Sequence, residues 1–154
     1  MWMPKIRSKH GKFALQVWWL KNEVGARCLR KDPLEIVAEE TSKRWLGRAG
    51  EAAAKESLTI GTNLGRRLLD KGIKEVYLDH LQARRPGINV GLFAHLADVV
   101  HGMSQEQVLV TIYTEDLNHS VHISDHSKLM LYLHQMRKEG AHVVGPMLHF
   151  PTLK

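Results

Sequence analysis

Apolar and polar positions change rhythm twice along this chain, and the changes mark its elements. Phe13 to Leu20 (FALQVWWL) is rich in β-forming residues and runs into the polar Lys21-Asn22-Glu23, after which Val24 to Leu29 (VGARCL) resumes the apolar pattern. That order predicts a strand, a turn and a second strand. Asp32-Pro33 marks another turn, and Leu34 to Ala38 (LEIVA) alternates as a third strand does. Three short strands joined by tight turns predict an antiparallel meander.

From about Leu46 the rhythm becomes helical and lasts to Lys71, with Ala49, Ala53, Ile60, Leu64 and Leu68 on one face. Gly72 supplies the left-handed position after the helix, and Ile73 can pack back on Leu68 or Leu69. Glu75 to Asp79 (EVYLD) reads as a strand joining the same sheet through a tight loop. His80 to Asn89 contains Arg84-Arg85-Pro86-Gly87 and reads as a loop. A second helix is expected from Val90 to His101, with Leu92, Leu96 and Val99 on its stripe and Gly102 as its stop. Val108 to Tyr113 reads as a strand. Ser124 or Asp125 can cap a helix striped by Leu129, Tyr132, Leu133 and Met136 and ended by Gly140, and Val143-Val144 reads as a last strand. The expected fold is α/β: a three-stranded antiparallel meander, then helix-strand-helix on one sheet, then a C-terminal strand-helix-strand extension. The expected divisions are a basic arm at 1–12, an α/β domain at 13–102 and the extension at 103–154.

A chain of 154 residues, 44% hydrophobic and 25% charged, matches one soluble globular domain with a short extension. No apolar run approaches the roughly 18 residues that span a bilayer, so no membrane partner is expected. The single cysteine, Cys28, cannot form an internal disulfide; it reads as a small buried hydrophobe in a reducing or redox-neutral compartment. The chain opens without an apolar signal segment, and its basic, acid-free start admits a short targeting remnant as the alternative to an RNA-binding arm.

Charge changes the picture most. Residues 1–85 carry 18 basic and 10 acidic side chains, a balance of +8, whereas residues 86–154 carry 4 and 6, a balance of −2. With an isoelectric point near 9.6, clustered Lys and Arg are the footprint of a nucleic-acid binder, because each neutralised phosphate releases counterions. A basic solubilising surface is the plainer alternative.

The order of elements and particular residues resemble the large-subunit ribosomal protein L-eighteen family, which binds 5S ribosomal RNA. Leu15-Gln16-Val17-Trp18 and Val24-Gly25-Ala26-Arg27 are similar to that family's first two strands, and Ile36-Val37-Ala38-Glu39-Glu40-Thr41 to the run before its helix. The fullest match is Ile60-Gly61-Thr62-Asn63-Leu64-Gly65-Arg66-Arg67-Leu68-Leu69-Asp70-Lys71-Gly72-Ile73, continued by Val76-Tyr77-Leu78-Asp79. Gly91, Leu96, Ala97 and Asp98 fall where the family's second helix carries the same residues. The likeness spans about Lys12 to Gly102. The sequence departs from the family in three places. The basic turn keeps only Lys21, the His-Gly-Arg before the second helix is Val90-Gly91-Leu92, and the loop before that helix is longer, with Arg84 and Arg85 able to replace the missing arginine. The resemblance implies a structural, non-enzymatic constituent of a large ribosomal subunit. The divergence and added length resemble a mitochondrial ribosome's version, in which the extension would meet neighbouring ribosomal proteins.

The expected RNA-binding residues are Lys5, Arg7, Lys9 and Lys12 on the arm, Lys21 in the first turn, Lys43, Arg44 and Arg48 around Trp45, Arg66 and Arg67 near the first helix end, and Arg84 and Arg85 in the loop. Cations at a helix end also favour the macrodipole, so Arg66 and Arg67 have a structural reading beside the functional one. Trp18 and Trp19 must point to opposite faces of a strand, which leaves one ring as a candidate RNA or protein contact. Eight of the ten histidines lie after residue 86, and His119, His122 and His126 with Asp116 and Asp125 have spacings a metal site can use. No second ligand pair of matching pattern appears, so neither a metal nor another cofactor is expected. Without a phosphate loop, nucleophile elbow or paired carboxylates, catalysis has no basis in the sequence. Two alternatives remain. One is a small-subunit ribosomal protein of the S-eleven type, whose Gly-rich loop and basic tail are missing here; the other is a His-rich metal-binding module or hydrolase.

Overall fold

The computed structural model describes residues 6, 8–43, 51–83, 90–115 and 126–145. Six strands form one sheet: β1 (Phe13–Trp19), β2 (Glu23–Lys31), β3 (Leu34–Lys43), β4 (Glu75–Ala83), β5 (Leu109–Tyr113) and β6 (His142–Val144). Among the described residues, three helices with full bounds connect them: α1 (Glu51–Asp70), α2 (Val90–Gln105) and α3 (His126–Lys138). The sheet order is β3-β2-β1-β4-β5-β6. The first three strands are antiparallel neighbours, as the tight turns require, and β4, β5 and β6 each join parallel to the strand before them in the sheet. This is the α/β arrangement expected from the sequence.

All three crossovers, β3-α1-β4, β4-α2-β5 and β5-α3-β6, run in the same direction along the sheet. Right-handed connection therefore sets all three helices on one face. There α2 lies between α1 and α3, with Phe93 stacked on Tyr132 of α3 at 4.3 Å between ring centroids. Period-2 alternation sends Leu15, Val17, Val24, Ala26, Cys28, Val76, Leu78, Val110 and Ile112 to that face, where they meet Ile60, Leu64, Leu68, Leu92, Leu96, Val99 and Met103 in one core. Burial pushes the Cys28 thiol pKa up to about 12, so Cys28 stays a protonated, small apolar group.

The helix ends show which glycines stop a helix. Gly72, at φ 76°, ends α1 with Ile73 N–H donating to the Leu68 carbonyl at 2.9 Å and Gly72 N–H to that of Leu69 at 2.9 Å, as the sequence predicts. Gly102 does not end α2. A Cβ there would lie 2.6 Å from the Thr62 nitrogen and 2.9 Å from the Gly61 carbonyl carbon, so Gly102 and Gly61 allow α1 and α2 to approach closely. The helix runs on to Gln105, and Gln107, at φ 65°, supplies the left-handed position, with Val108 N–H donating to the Met103 carbonyl at 3.0 Å.

Three further boundaries differ from expectation. β3 continues past Ala38 to Lys43 because the pairing with β2 continues to Glu23↔Lys43. β4 continues past Asp79 because Asp79 is an extra residue in the ladder: Leu15 pairs with Leu78 and Gln16 with His80. Alternation after Leu78 sets Asp79 on the helix-free face, and the bulge keeps His80 on that face beside Gln16 and returns Leu81 to the core. The division after residue 102 falls inside α2, and the segment beyond it adds β5 and β6 to the same sheet and Val108, Leu133, Met136 and Val143 to the same core.

Candidate nucleic-acid interface

The face without helices carries Gln16 and Trp18 from β1, Gly25 and Arg27 from β2, and Tyr77, Asp79 and Gln82 from β4. Trp18 is 1% exposed and held on every side. Its indole Nε1–H donates to Glu23 Oε2 at 2.7 Å, the Arg27 guanidinium lies over its ring at 4.9 Å, and Gly25 leaves the space its six-membered ring fills. Arg27, also 1% exposed, pairs with Glu39 at 3.6 Å. Desolvation lowers its pKa, and the charges of Glu39 and Glu23 partly offset that loss. Trp19 points to the other face, tilted against His95 at 5.6 Å between centroids. Neither ring stands free in solvent as the sequence had suggested for one of them.

Beside this cluster a cavity of about 540 Å³ opens, lined by Trp18, Leu20, Lys21, Asn22, Glu23, Arg27 and Gln82. It lies beside the β1–β2 turn, at the carboxyl ends of β1 and β4. Lys43, at the end of β3, pairs in register with Glu23 and lies at the same end of the sheet as Lys21.

The N-terminal segment crosses the same face over β4 and β5. Ser8 N–H donates to Asp79 Oδ1 at 2.6 Å, and Gln16 Nε2 donates to Asp79 Oδ2 at 3.0 Å. Lys31 Nζ donates to the carbonyls of Ser8, at 2.8 Å, and His10. The His10 ring stacks on Tyr113 at 3.5 Å and reaches Glu115 at 3.3 Å, while Gly11 lies against the Tyr77 ring. Residues 8–12 are therefore a strap docked on the sheet. The sequence reading missed its anchors, Asp79, Gln16 and Lys31; the available signal was a carboxylate directly after the apolar run Val76-Tyr77-Leu78.

Among the described residues, the expected RNA-binding side chains fall into three groups. Lys9 and Lys12 lie exposed on or beside the strap. Lys21 and Lys43 are exposed at the carboxyl end of the meander, and neither forms an ion pair with a described residue. Arg66 and Arg67 are engaged: Arg66 pairs with Glu106 at 2.9 Å, and Arg67 pairs with Glu40 at 2.6 Å and donates to the Glu39 carbonyl at 2.6 Å. They join α1 to the end of α2 and to β3, which favours their structural reading. Lys5, Arg7, Arg44, Arg48, Arg84 and Arg85 lie outside the described residues, as do Trp45, His119 and His122. Among the described residues, no group of three or more His, Cys, Asp and Glu is placed to hold a metal ion. His95 is a buried core histidine, with Nδ1 2.7 Å from Ser57 Oγ and Nε2 3.1 Å from the Gly25 carbonyl oxygen. No described helix is long and apolar enough to cross a membrane.

No family model matches the sequence. No curated protein matches it either. Solved structures of the Ppx/GppA phosphatase of Aquifex aeolicus superpose weakly. One, the type II variant, is 10% identical with a TM-score of 0.33 and covers 87% of this chain and 36% of its own. Another is 11% identical with a TM-score of 0.31 and covers 87% and 35%. The chain thus spans about a third of the length of the solved structures it matches.

Proposed function

We propose that the protein is a structural, non-enzymatic constituent of a large ribosomal subunit, in a mitochondrial ribosome, that binds ribosomal RNA through the carboxyl end of its sheet. The observation that carries this reading is a pair of exposed lysines at one end of the sheet, Lys21 lining the cavity beside the β1–β2 turn and Lys43 at the end of β3. Arg44 follows Lys43 in sequence, and Arg84 and Arg85 follow the end of β4 at Ala83. In the sequence, three arginines thus directly follow strands that end beside Lys21 or Lys43. The resemblance to the L-eighteen family supports the same reading and names 5S ribosomal RNA as the first ligand to try. Binding is electrostatic in this account: ammonium and guanidinium groups neutralise backbone phosphates, and the shape of the folded RNA selects the site.

The test is binding to 5S ribosomal RNA and to an unrelated structured RNA over a salt series. Affinity should fall steeply with salt, and Lys21→Ala with Lys43→Ala should flatten the log-log slope by about one unit per lysine. Lys5→Ala with Arg7→Ala should flatten it further if the arm lies on phosphate. Arg66→Ala with Arg67→Ala should lower stability more than affinity, because both side chains are already paired. A flat salt response in the unaltered chain would end this reading, and equal affinity for the two RNAs would remove 5S RNA as the ligand.

A further inference from the structure

We infer that the cavity between β3 and α1 reads the 2′-hydroxyl of a ribose, so that the protein tells RNA from DNA at this place. The inference rests on the RNA-binding reading and specifies what that reading leaves open, the chemistry recognised beside the phosphates. The cavity measures about 440 Å³, and its walls run from Glu40 to Ser42 on β3 and from Lys55 to Asn63 on α1. It therefore lies at the same end of the sheet as Lys21 and Lys43.

Its lining follows from two periodicities. Ser42 pairs with Val24, a core residue, so its side chain projects to the helix side of β3. On α1, Lys55, Thr59 and Asn63 recur every fourth residue and share one stripe. A hydroxyl from the strand thus lines one space with a hydroxyl and an amide from the helix. The Ser42 hydroxyl and the Asn63 amide form no hydrogen bond with a described residue. The Thr59 hydroxyl donates to the Lys55 carbonyl at 2.9 Å and has lone pairs left to accept. Charge is balanced around them: the carboxylates of Glu40 and Glu56 are matched in number by Lys55 and by Arg67, which pairs with Glu40 at 2.6 Å.

A neutral space lined by hydroxyls and an amide suits a sugar better than a bare phosphate. It suits ribose in particular, because the 2′-hydroxyl both donates and accepts. Its proton can go to Asn63 Oδ1 or Thr59 Oγ1, and its oxygen can accept from Ser42 or from the Asn63 amide. Lys55, exposed on the same stripe, is placed for the adjoining phosphate. An RNA helix displays its 2′-hydroxyls along a wide, shallow minor groove, so a duplex presents this group as readily as a single strand does.

A synthetic hairpin made as RNA, as 2′-O-methyl RNA and as DNA, bound to the full chain at one salt concentration, tests the inference. The methylated hairpin keeps the A-form shape and every phosphate but cannot donate from the 2′ position, so it separates the hydroxyl from the shape. RNA should bind about fivefold more tightly than the methylated hairpin, the loss expected for about one net hydrogen bond, and more tightly than DNA as well. Ser42→Ala, Asn63→Ala and Thr59→Val should each bring the ratio of RNA to methylated RNA toward one. Thr59 is exposed and valine keeps its shape, so folding is not at stake in that variant. Lys21→Ala should weaken all three probes and leave the ratio unchanged. Equal affinity for RNA and methylated RNA would overturn the inference while leaving the RNA-binding reading in place. A ratio that survives all three cavity variants would overturn it too, because the discrimination would then arise elsewhere. Failure of every hairpin to bind would overturn it together with the RNA-binding reading.

Discussion

Gly25 shows how one position can be fixed by its neighbour across the ladder. A Cβ at Gly25 would lie 2.4 Å from Trp18 Cζ2 and 2.8 Å from the Glu40 carbonyl oxygen. The strand backbone cannot yield, and the indole is held by Glu23 and Arg27. Gly25→Ala should therefore cost about 1–3 kcal/mol by overpacking, read as a lower urea midpoint with an unchanged slope. Asp98 gives a prediction of opposite sign. Burial raises its pKa, the Glu139 charge raises it further, and His101 works against both. The folded state thus holds this proton more tightly than the unfolded chain does. The resulting stability is complete below the ordinary value of 3.8 and is lost as pH rises through the raised one. Asp98→Asn should stabilise the protein near pH 7 by less than about 1 kcal/mol, since the group is only partly buried, and should have almost no effect near pH 3. Urea midpoints at the two pH values decide it.

At the scale of elements, one buried carboxylate, Asp79, anchors the strap of residues 8–12 beside Lys31 and the His10–Tyr113 stack. Asp79→Ala removes the acceptor for the Ser8 amide and for Gln16 Nε2, leaving Gln16 buried with a bare donor, at a cost of about 1–3 kcal/mol. Hydrogen exchange at Ser8 should accelerate far more than exchange in the β2 ladder, where a general loss of stability would speed both. What the sequence could reveal follows from the same elements. The meander, the order of helices and strands, and the Gly72 ending were legible because each is set by residues close together in the chain. The end of β4 was not, since a bulge at Asp79 shifts the alternation by one residue and makes Asp79-His80 look like an exit from the strand. Gly102 was misread because a glycine that stops a helix and one that admits a neighbouring helix look alike until the neighbour is known. The candidate site was legible as a charge but not as a place. Lys21 and Lys43 are 22 positions apart, and only the β2–β3 register puts them at one end of the sheet. The functional reading of Arg66 and Arg67 weakened for the same kind of reason, because their partners Glu106 and Glu40 are distant in sequence.

For the whole molecule, the charge balance and the fold divide at different places. The acidic bias begins after residue 85, yet the core does not end there: Val108, Val110, Ile112, Leu133, Met136 and Val143 are all at most 6% exposed. Each such side chain contributes about 1.5–3 kcal/mol by burial, so together they rival the roughly 5–15 kcal/mol that keeps a domain folded. A chain cut after residue 105 should therefore fail to form a stable monomer, seen as loss of the cooperative thermal transition and as higher-order species in sedimentation. A sharp two-state transition in that fragment would mean that the first four strands and two helices suffice. The spatial order β3-β2-β1-β4-β5-β6 also has a temporal meaning. Chains are synthesised from the N-terminus, so on a translating ribosome the meander can close first. Each later strand then arrives at the same growing edge, first beside β1, then beside β4, then beside β5. At every stage the nascent sheet has only one edge awaiting its next strand, and the three-residue β6, when it emerges, becomes that edge.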